Sequence, residues 1–175
     1  MNKKLDKIKF IAMDVDGVLT DGRIILGKQE ELKFFDIKDG MGISIAIKSG
    51  IKTAIITGRI SDAVKKRAKE LNIKYVVQGS KNKIKALEKV FKNEKLELEN
   101  VCYIGDDIID IPLFRKVGFS ATVKDASVHV KSEVDYISKK SGGRGGVRDI
   151  IEYILNNKGI LNQTIEAKIK DWIDK

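Results

Sequence analysis

The sequence is poor in cysteine, histidine and aromatic residues. Among its 175 residues are one cysteine and one histidine, and aromatic residues make up 6% of the chain. The single Cys102 excludes an intramolecular disulfide, and within an apolar run its thiol is expected to be buried and inert. No cluster of cysteine and histidine exists that could bind zinc. These shortages favour a reducing compartment and, for any bound metal, oxygen ligands.

Long hydrophobic runs are also absent. Nowhere do 18 apolar residues follow one another, and no long apolar region follows the charged N-terminus. We therefore expect a soluble, cytoplasmic protein with no membrane partner. A chain of this length is most simply one domain, large enough to bury about 70% of its unfolded surface.

The charge of the chain is strongly positive. It has 34 lysines and arginines against 25 aspartates and glutamates, a formal net charge of +9. Such a balance suits nucleic acid, an anionic surface or an acidic substrate. The lysines are interleaved with glutamate and lack nearby exposed aromatic residues, so we interpret most of them as solvated surface. Of the three partners we favour an acidic substrate and expect no nucleic acid.

Strand-like and helix-like segments alternate from residue 8 to residue 155. This alternation predicts an α/β fold, a three-layer Rossmann-like parallel sheet with helices on both faces. A short helix is predicted at residues 43–49, after the turn-like sequence 39–42. Residues 160–175 carry apolar side chains at helical spacing, which predicts a helical tail behind a single domain of residues 1–159.

The sequence predicts a β-hairpin over residues 23–37, approximately, with Lys28 to Glu30 at its tip. The hairpin is more apolar than an exposed ribbon should be, and a two-stranded ribbon is marginally stable by itself. We therefore expect it to pack against another copy of the chain, which makes the protein a homo-oligomer.

Two of the predicted strands end in clustered aspartates. Asp14 and Asp16 follow the first strand, and a second cluster follows the strand that begins at Val101. An Asp-x-Asp-Gly sequence alone could be a polar turn, but two such strands are unlikely to be two coincidences. Carboxylates this close repel by ~1 kcal/mol in water and ~4 kcal/mol at a protein surface. A cation between the carboxylates would offset this repulsion, and we expect it beyond the carboxyl ends of the strands, where ligands of parallel sheets bind. Hard oxygen ligands fit Mg²⁺.

Taken together, the motifs resemble those of the haloacid dehalogenase superfamily. They are Asp14-Val-Asp16-Gly-Val-Leu-Thr, Thr57, Lys83 and Gly105-Asp106-Asp107-x-x-Asp110. The resemblance implies that Asp14 is a nucleophile that forms an aspartyl-phosphate. It also implies that Asp16 is the acid that protonates the leaving group and then the base that activates water. An aspartate at position 16 favours phosphoryl transfer over dehalogenation.

The resemblance also implies the remaining roles. Mg²⁺ would be held by Asp14, the main-chain carbonyl of Asp16, and Asp106. Phosphate would be bound by Thr57, Gly58 and Lys83, whose hydroxyl and ammonium groups suit phosphoryl oxygens. Asp107 and Asp110 would support these groups.

The spacing of the motifs leaves no room for a lid domain. Only 40 residues separate Asp16 from Thr57, and 22 separate Lys83 from Asp106. The chain also carries the motifs Glu30-Glu31-Leu-Lys33-x-Phe35, Ile-Thr-Gly-Arg59 and Gly-Gly-Arg144-Gly. Together with the two aspartate motifs, they resemble the lidless family of 3-deoxy-D-manno-octulosonate 8-phosphate phosphatases. That resemblance implies a homotetramer that acts in lipopolysaccharide precursor synthesis, with the hairpin at its subunit contacts. It further implies substrate contacts from Asp36, Ser44, Arg59, Arg67 and Arg144.

Several alternatives remain open from the sequence. The substrate could instead be the 9-phosphate of a nonulosonate, a sialic-acid-like sugar. A phospho-accepting receiver module or a catalytically idle assembly domain would also place aspartates at strand ends. The glycine-rich segment 142–146 could carry Arg144 to the site of a neighbouring subunit, or it could be a loose connector.

Overall fold

The protein is built on a parallel sheet. A computed structural model describes residues 3–27, 31–91 and 94–174. In chain order the strands are β1 (Phe10–Met13), β2 (Ile25–Leu26), β3 (Glu31–Leu32), β4 (Lys52–Ile56), β5 (Tyr75–Val77), β6 (Val101–Ile104), β7 (Phe119–Thr122) and β8 (Tyr136–Ile137). Six of them form one sheet in the order β5-β4-β1-β6-β7-β8, with every pair parallel. Strands β2 and β3 form a separate antiparallel hairpin.

Helices cover both faces of the sheet. They are α1 (Lys3–Asp6), α2 (Ile37–Lys48), α3 (Asp62–Glu70), α4 (Lys83–Phe91), α5 (Ile111–Phe114), α6 (Val128–Lys131), α7 (Gly146–Asn157) and α8 (Leu161–Ile173). Alternate residues of β1 enter different cores: Ile11 and Met13 pack with α2, α3 and α7, whereas Phe10 and Ala12 pack with α4, α5 and α6. The predicted three-layer α/β fold is confirmed. Among the described helices, none is long and apolar enough to cross a bilayer.

The strand order fixes where a ligand can bind. The chain runs outward from β1 to β4 and β5 on one side, and to β6, β7 and β8 on the other. A crevice therefore opens beyond the carboxyl ends of β1 and β6, where the order reverses. The backbone N–H of Asp14 donates to the carbonyl of Ile104 at 2.9 Å, which holds these two strand ends side by side.

The start of α2 differs from the prediction. The helix begins at Ile37 rather than at residue 43, and Asp36 caps it by accepting from the backbone N–H of Lys38 at 2.7 Å. The glycines that suggested a turn lie inside the helix. A Cβ on Gly42 would stand 2.8 Å from the Cα of Arg148, so glycine here lets α2 and α7 approach closely.

The hairpin is shorter than predicted and exposes apolar side chains. Its strands have two residues each, with Ile25 opposite Leu32, and α2 begins where the predicted range ends. The predicted tip, residues 28–30, lies outside the described residues. We call the following exposed side chains the apolar hairpin surface: Ile24, Leu26, Leu32, Phe34 and Ile37. At the other end of the chain, α8 packs on α2 and α7.

Candidate active site

A cavity of about 260 Å³ opens at the carboxyl ends of β1, β4 and β6. Most of the residues that the sequence singled out line it. The lining consists of Asp14, Asp16, Gly17, Gly22, Thr57, Gly58, Arg59, Asp106, Asp107 and Ile109. Asp14 and Asp16 reach the cavity from the turn after β1, since that strand ends at Met13.

Asp14 and Lys83 form a buried ion pair at the base of the cavity. The Oδ1 of Asp14 accepts from the backbone N–H of Val15 at 2.6 Å, and its Oδ2 is bonded by the Lys83 ammonium. Burial raises the pKa of Asp14, the charge of Lys83 opposes this rise, and the charge of Asp110 adds to it. Burial by itself would lower the pKa of Lys83, but its two carboxylate partners outweigh burial and raise it. Lys83 is therefore a fixed positive charge beside Asp14.

Three carboxylates converge next to this pair. One oxygen each from Asp14, Asp106 and Asp110 lies within 4.8 Å of the others. Burial, together with the charges of Asp110 and Asp14, raises the pKa of Asp106 to about 7. A Cβ on Gly17 would stand 1.9 Å from the Oδ2 of Asp106, so only glycine leaves room for that carboxylate. This crowding of hard oxygen donors fits Mg²⁺.

Asp110 supports the cluster instead of facing the cavity. Its Oδ1 accepts from the hydroxyl of Tyr103 at 2.6 Å and from the Lys83 ammonium. Its Oδ2 accepts from the backbone N–H groups of Asp106 at 3.0 Å and of Asp107 at 3.2 Å. Because Asp110 is fully buried and does not line the cavity, whereas Asp14 and Asp106 do, Asp14 and Asp106 are the carboxylates best suited to hold the metal ion.

Asp16 is held by the hairpin and by Arg59. Lys33 follows the second strand of the hairpin, β3. Its ammonium bonds the Oδ1 of Asp16 and lies 3.0 Å from the Oε1 of Glu31. The Nε of Arg59 lies 3.7 Å from the Oδ2 of Asp16, and its guanidinium also bonds Glu31. Hydrogen bonds from Lys33 and Arg59 lower the pKa of Glu31. The cavity wall beside Asp16 is thus a four-residue charged network.

Thr57, Gly58 and Asp107 complete the cavity. The backbone N–H of Thr57 donates to the carbonyl of Val77 at 3.0 Å, and its buried hydroxyl oxygen accepts from the N–H of Arg59 at 3.3 Å. Asp107 begins a 3₁₀ turn by accepting from the N–H of Ile108 at 2.7 Å. Local capping therefore fixes the loops that carry these side chains.

Four residues that the resemblance assigned to substrate lie outside this cavity. Asp36 caps α2, and Ser44 lies half-buried within α2. The guanidinium of Arg67 lies 6.0 Å from the ring centre of Phe35 and pairs with Glu70 at 2.9 Å. Arg144 is exposed, 3.8 Å from Asp21. Asp36 and Arg144 share a separate open depression of about 530 Å³.

The glycine-rich segment 142–146 packs beneath the active-site turn. The backbone N–H of Gly143 donates to the carbonyl of Val18 at 2.9 Å. A Cβ on Gly142 would stand 1.8 Å from the carbonyl oxygen of Gly17. The loose-connector interpretation is therefore wrong for the first half of the segment, since its glycines provide space for a close backbone contact.

The sequence reasoning did not identify Lys33, Glu31 and Tyr103. Lys33 and Glu31 belong to a motif that contributed to the resemblance, but nothing in their spacing indicates a buried ammonium. Tyr103 occurs in an apolar strand and was indistinguishable from a core residue. Its position three residues before the second aspartate cluster was the only available signal, because that places its side chain near the strand end.

Comparison with known proteins identifies relatives of this chain. Residues 75–151 match the model of a family described as haloacid dehalogenase-like hydrolases. The 3-deoxy-D-manno-octulosonate 8-phosphate phosphatase KdsC of Escherichia coli (strain K12) is 42% identical over 161 residues, which cover 91% of this chain and 86% of that protein.

Solved structures give the same result. The 3-deoxy-D-manno-octulosonate 8-phosphate phosphatase of Moraxella catarrhalis, in complex with magnesium, phosphate and KDO, superimposes with a TM-score of 0.90 at 41% identity, covering 94% of this chain and 95% of that chain. The cobalt-bound deoxy-D-mannose-octulosonate 8-phosphate phosphatase of Haemophilus influenzae has a TM-score of 0.87 at 37% identity, covering 90% of this chain and 93% of that chain.

Proposed function

This chain belongs to the 3-deoxy-D-manno-octulosonate 8-phosphate phosphatase family of haloacid dehalogenase-like hydrolases, and from that premise we propose what its active site does. The protein is a Mg²⁺-dependent phosphoric monoester hydrolase. Its substrate is 3-deoxy-D-manno-octulosonate 8-phosphate, which it converts to the free sugar acid and phosphate. The observation that carries this proposal is the convergence of Asp14, Asp106 and Asp110 beside Lys83 at the switch point of the sheet.

In the first step, Asp14 attacks phosphorus. The hydrogen bond from the N–H of Val15 and the ion pair with Lys83 orient its carboxylate. The P–O bond to the sugar breaks as the bond to Asp14 forms, which gives an aspartyl-phosphate. Thr57, Gly58 and Lys83 bind the phosphoryl oxygens and stabilise the charge that they carry.

Asp16 handles the protons of both steps. It gives a proton to the departing sugar oxygen, and then accepts a proton from the water that hydrolyses the aspartyl-phosphate. Asp14, the main-chain carbonyl of Asp16 and Asp106 would hold Mg²⁺, and Asp107 and Asp110 would support them. The bound ion supplies positive charge that offsets the carboxylates and the transferring phosphoryl group.

The remaining residues would recognise the sugar acid. Arg59 lines the cavity and can reach the substrate carboxylate from the same subunit. Asp36, Ser44, Arg67 and Arg144 would act from a neighbouring subunit in a homotetramer joined through the apolar hairpin surface. We place the protein in the cytoplasm and in lipopolysaccharide precursor synthesis, in keeping with its single buried cysteine and with the relatives it resembles.

The test is hydrolysis of 3-deoxy-D-manno-octulosonate 8-phosphate with and without Mg²⁺, by the wild-type protein and by Asp14→Asn. We expect turnover that needs Mg²⁺ and is lost in the variant by at least about 10³-fold, because no nucleophile remains. Turnover that ignores the metal ion, or that survives the substitution, would exclude this mechanism.

A substrate panel separates the alternatives. The named relatives favour the octulosonate over the nonulosonate 9-phosphate, so we expect the higher kcat/KM for the eight-carbon ester. A receiver module or an idle assembly domain is not favoured, because the nucleophile follows the first strand and its partners are intact. Either of those would give no catalytic turnover of any sugar phosphate.

A further inference from the structure

A lysine of the hairpin reaches into the wall of the active site. Lys33 immediately follows β3, and its side chain is only 1% exposed although the hairpin lies at the surface. Its ammonium bonds the Oδ1 of Asp16 and lies 3.0 Å from the Oε1 of Glu31. The apolar neighbours Leu32 and Phe34 point to solvent instead. The alternation of the strand therefore directs both of its charged side chains, Glu31 and Lys33, inward.

The arrangement holds one oxygen of Asp16 and leaves the other available. Oδ1 bonds Lys33, whereas Oδ2 has the Nε of Arg59 at 3.7 Å, which is beyond hydrogen-bond length. A buried ammonium is costly unless it is paired, and here two carboxylates pair it. Asp16 lines the cavity, and Oδ2 is the carboxylate oxygen that Lys33 does not bond.

We propose that Lys33 is a positioning residue for Asp16, which it holds so that the second carboxylate oxygen faces the leaving group. This inference rests on the proposed function, since it requires Asp16 to be the proton donor. Lys33 touches neither phosphorus nor the sugar, and it acts only through Asp16. The hairpin thus contributes to catalysis from within its own subunit.

Esters with different leaving groups isolate this role. A sugar alkoxide leaves only with a proton from Asp16, whereas p-nitrophenolate leaves without one. The value of kcat/KM covers steps through formation of the aspartyl-phosphate, before Asp16 acts as a base. Loss of the orientation of Asp16 therefore lowers kcat/KM for the sugar ester and leaves that of the aryl ester nearly unchanged.

The experiment compares 3-deoxy-D-manno-octulosonate 8-phosphate with p-nitrophenyl phosphate at saturating Mg²⁺. General acid catalysis contributes about 10²- to 10⁴-fold, so for Lys33→Met we expect kcat/KM to fall by at least about 30-fold on the sugar ester and by less than about 3-fold on the aryl ester. Lys33→Arg, which keeps the charge and the donors, should recover most of the loss. In an Asp16→Asn background, Lys33→Met should cause no further loss on the sugar ester.

The controls separate this role from folding and from the general mechanism. Lys65→Met removes an exposed lysine that pairs with Asp62 at 2.9 Å, and it should leave both esters unaffected. If Lys33→Met does not fold, Lys33→Gln is measured by the same ratio of the two esters. An equal loss on both esters, or no loss, overturns the proposal. Failure of the wild-type protein to show turnover dependent on Mg²⁺ and Asp14 instead overturns the proposed function, and this inference with it.

Discussion

Tyr103 shows how one hydroxyl can act on the active site from within the core. It is fully buried, it donates to Asp110 at 2.6 Å, and Asp110 in turn bonds Lys83 and the loop of Asp106. Burial, with the charges of Asp110 and Asp14, raises the pKa of Tyr103, so the phenol stays protonated and remains a donor.

We predict that Tyr103→Phe weakens both stability and metal binding. Loss of the Tyr103 hydroxyl leaves the Asp110 carboxylate without one of its donors, which should lower the free energy of unfolding by about 1 to 3 kcal/mol. A lower urea midpoint measures this loss. Mutation of a residue that supports metal ligands typically lowers activity or metal affinity by about tenfold or more. Half-maximal activity of the variant should therefore need a higher Mg²⁺ concentration. The matched control is Tyr136→Phe, whose hydroxyl bonds Asp149 at 3.0 Å away from the cavity. A Mg²⁺ requirement that shifts equally in both variants would contradict this role for Tyr103.

The buried carboxyl of Asp39 makes the stability of the fold depend on pH. Asp39 is buried in the first turn of α2 and accepts from the backbone N–H groups of Gly145 at 3.2 Å and Arg148 at 2.9 Å. Burial raises its pKa to about 6 from 3.8, and the backbone donors offset only part of the rise. The folded protein therefore binds this proton more tightly than the unfolded chain does. The stabilisation from protonation is complete below pH 3.8 and is lost as the pH rises through about 6.

We predict that this carboxyl lowers the free energy of unfolding by about 1 kcal/mol between pH 5 and pH 7. Urea denaturation of the wild-type protein and of Asp39→Asn at both pH values measures this change. The free energy of unfolding changes between the two pH values in each protein, and the difference between these two changes isolates Asp39. The variant should lose less stability than the wild-type protein over this interval. Parallel pH dependences would show that Asp39 titrates normally.

At the scale of elements, the active-site turn depends on a second segment that lies beneath it. Gly142 and Gly143 contact the backbone of Gly17 and Val18, and Gly17 in turn leaves room for Asp106. A side chain added below the turn would therefore displace residues that line the cavity above it.

We predict that Gly142→Ala lowers both the melting temperature and kcat/KM. The added Cβ would meet the carbonyl oxygen of Gly17 at 1.8 Å, and relief of such overpacking costs about 1 to 3 kcal/mol or more. The control is Gly159→Ala, where φ is +71° and no atom lies within 4 Å of the new Cβ. That change should cost about 1 to 2 kcal/mol from backbone strain and leave kcat/KM intact. Equal effects of both variants on kcat/KM would argue against coupling through the turn.

The same scale explains what the sequence could predict. Strand positions were readable because β1, β4 and β6 are buried apolar runs. The aspartates after β1 and β6 identified the edge where the site lies. The start of α2 was not readable, because Gly40 and Gly42 look like a turn but serve helix packing. The pairing of Lys33 with Asp16 was hidden for a related reason. It depends on how the hairpin folds over the sheet, and no local pattern encodes that placement.

At the scale of the whole molecule, we expect the apolar hairpin surface to contact another subunit. Its five side chains are exposed together, with Leu26 at 79% and Ile37 at 80%. Monomeric proteins rarely expose large apolar patches, so we expect these side chains to lie at a contact between subunits. The hairpin also carries Lys33 on its inner side, so burial of its outer side would fix the part of the chain that holds Asp16.

We predict that Leu26→Asp dissociates the proposed homotetramer. A charge in the middle of an apolar contact between subunits is costly, so the mass in solution at micromolar concentration should fall to that of a smaller species. The control is Ile173→Asp, which changes an equally exposed apolar residue on α8, where Ile173 is 75% exposed. We expect this variant to keep the wild-type mass.

Activity should follow assembly in a particular way. If the subunit contact only completes the sugar-binding surface, Leu26→Asp raises KM for the sugar ester and leaves p-nitrophenyl phosphate unaffected. If assembly also fixes the hairpin, kcat for the sugar ester falls as well, because Lys33 then holds Asp16 less firmly. Dissociation caused by Ile173→Asp but not by Leu26→Asp would move the interface to α8. In that case the hairpin would be a wall of the active site alone.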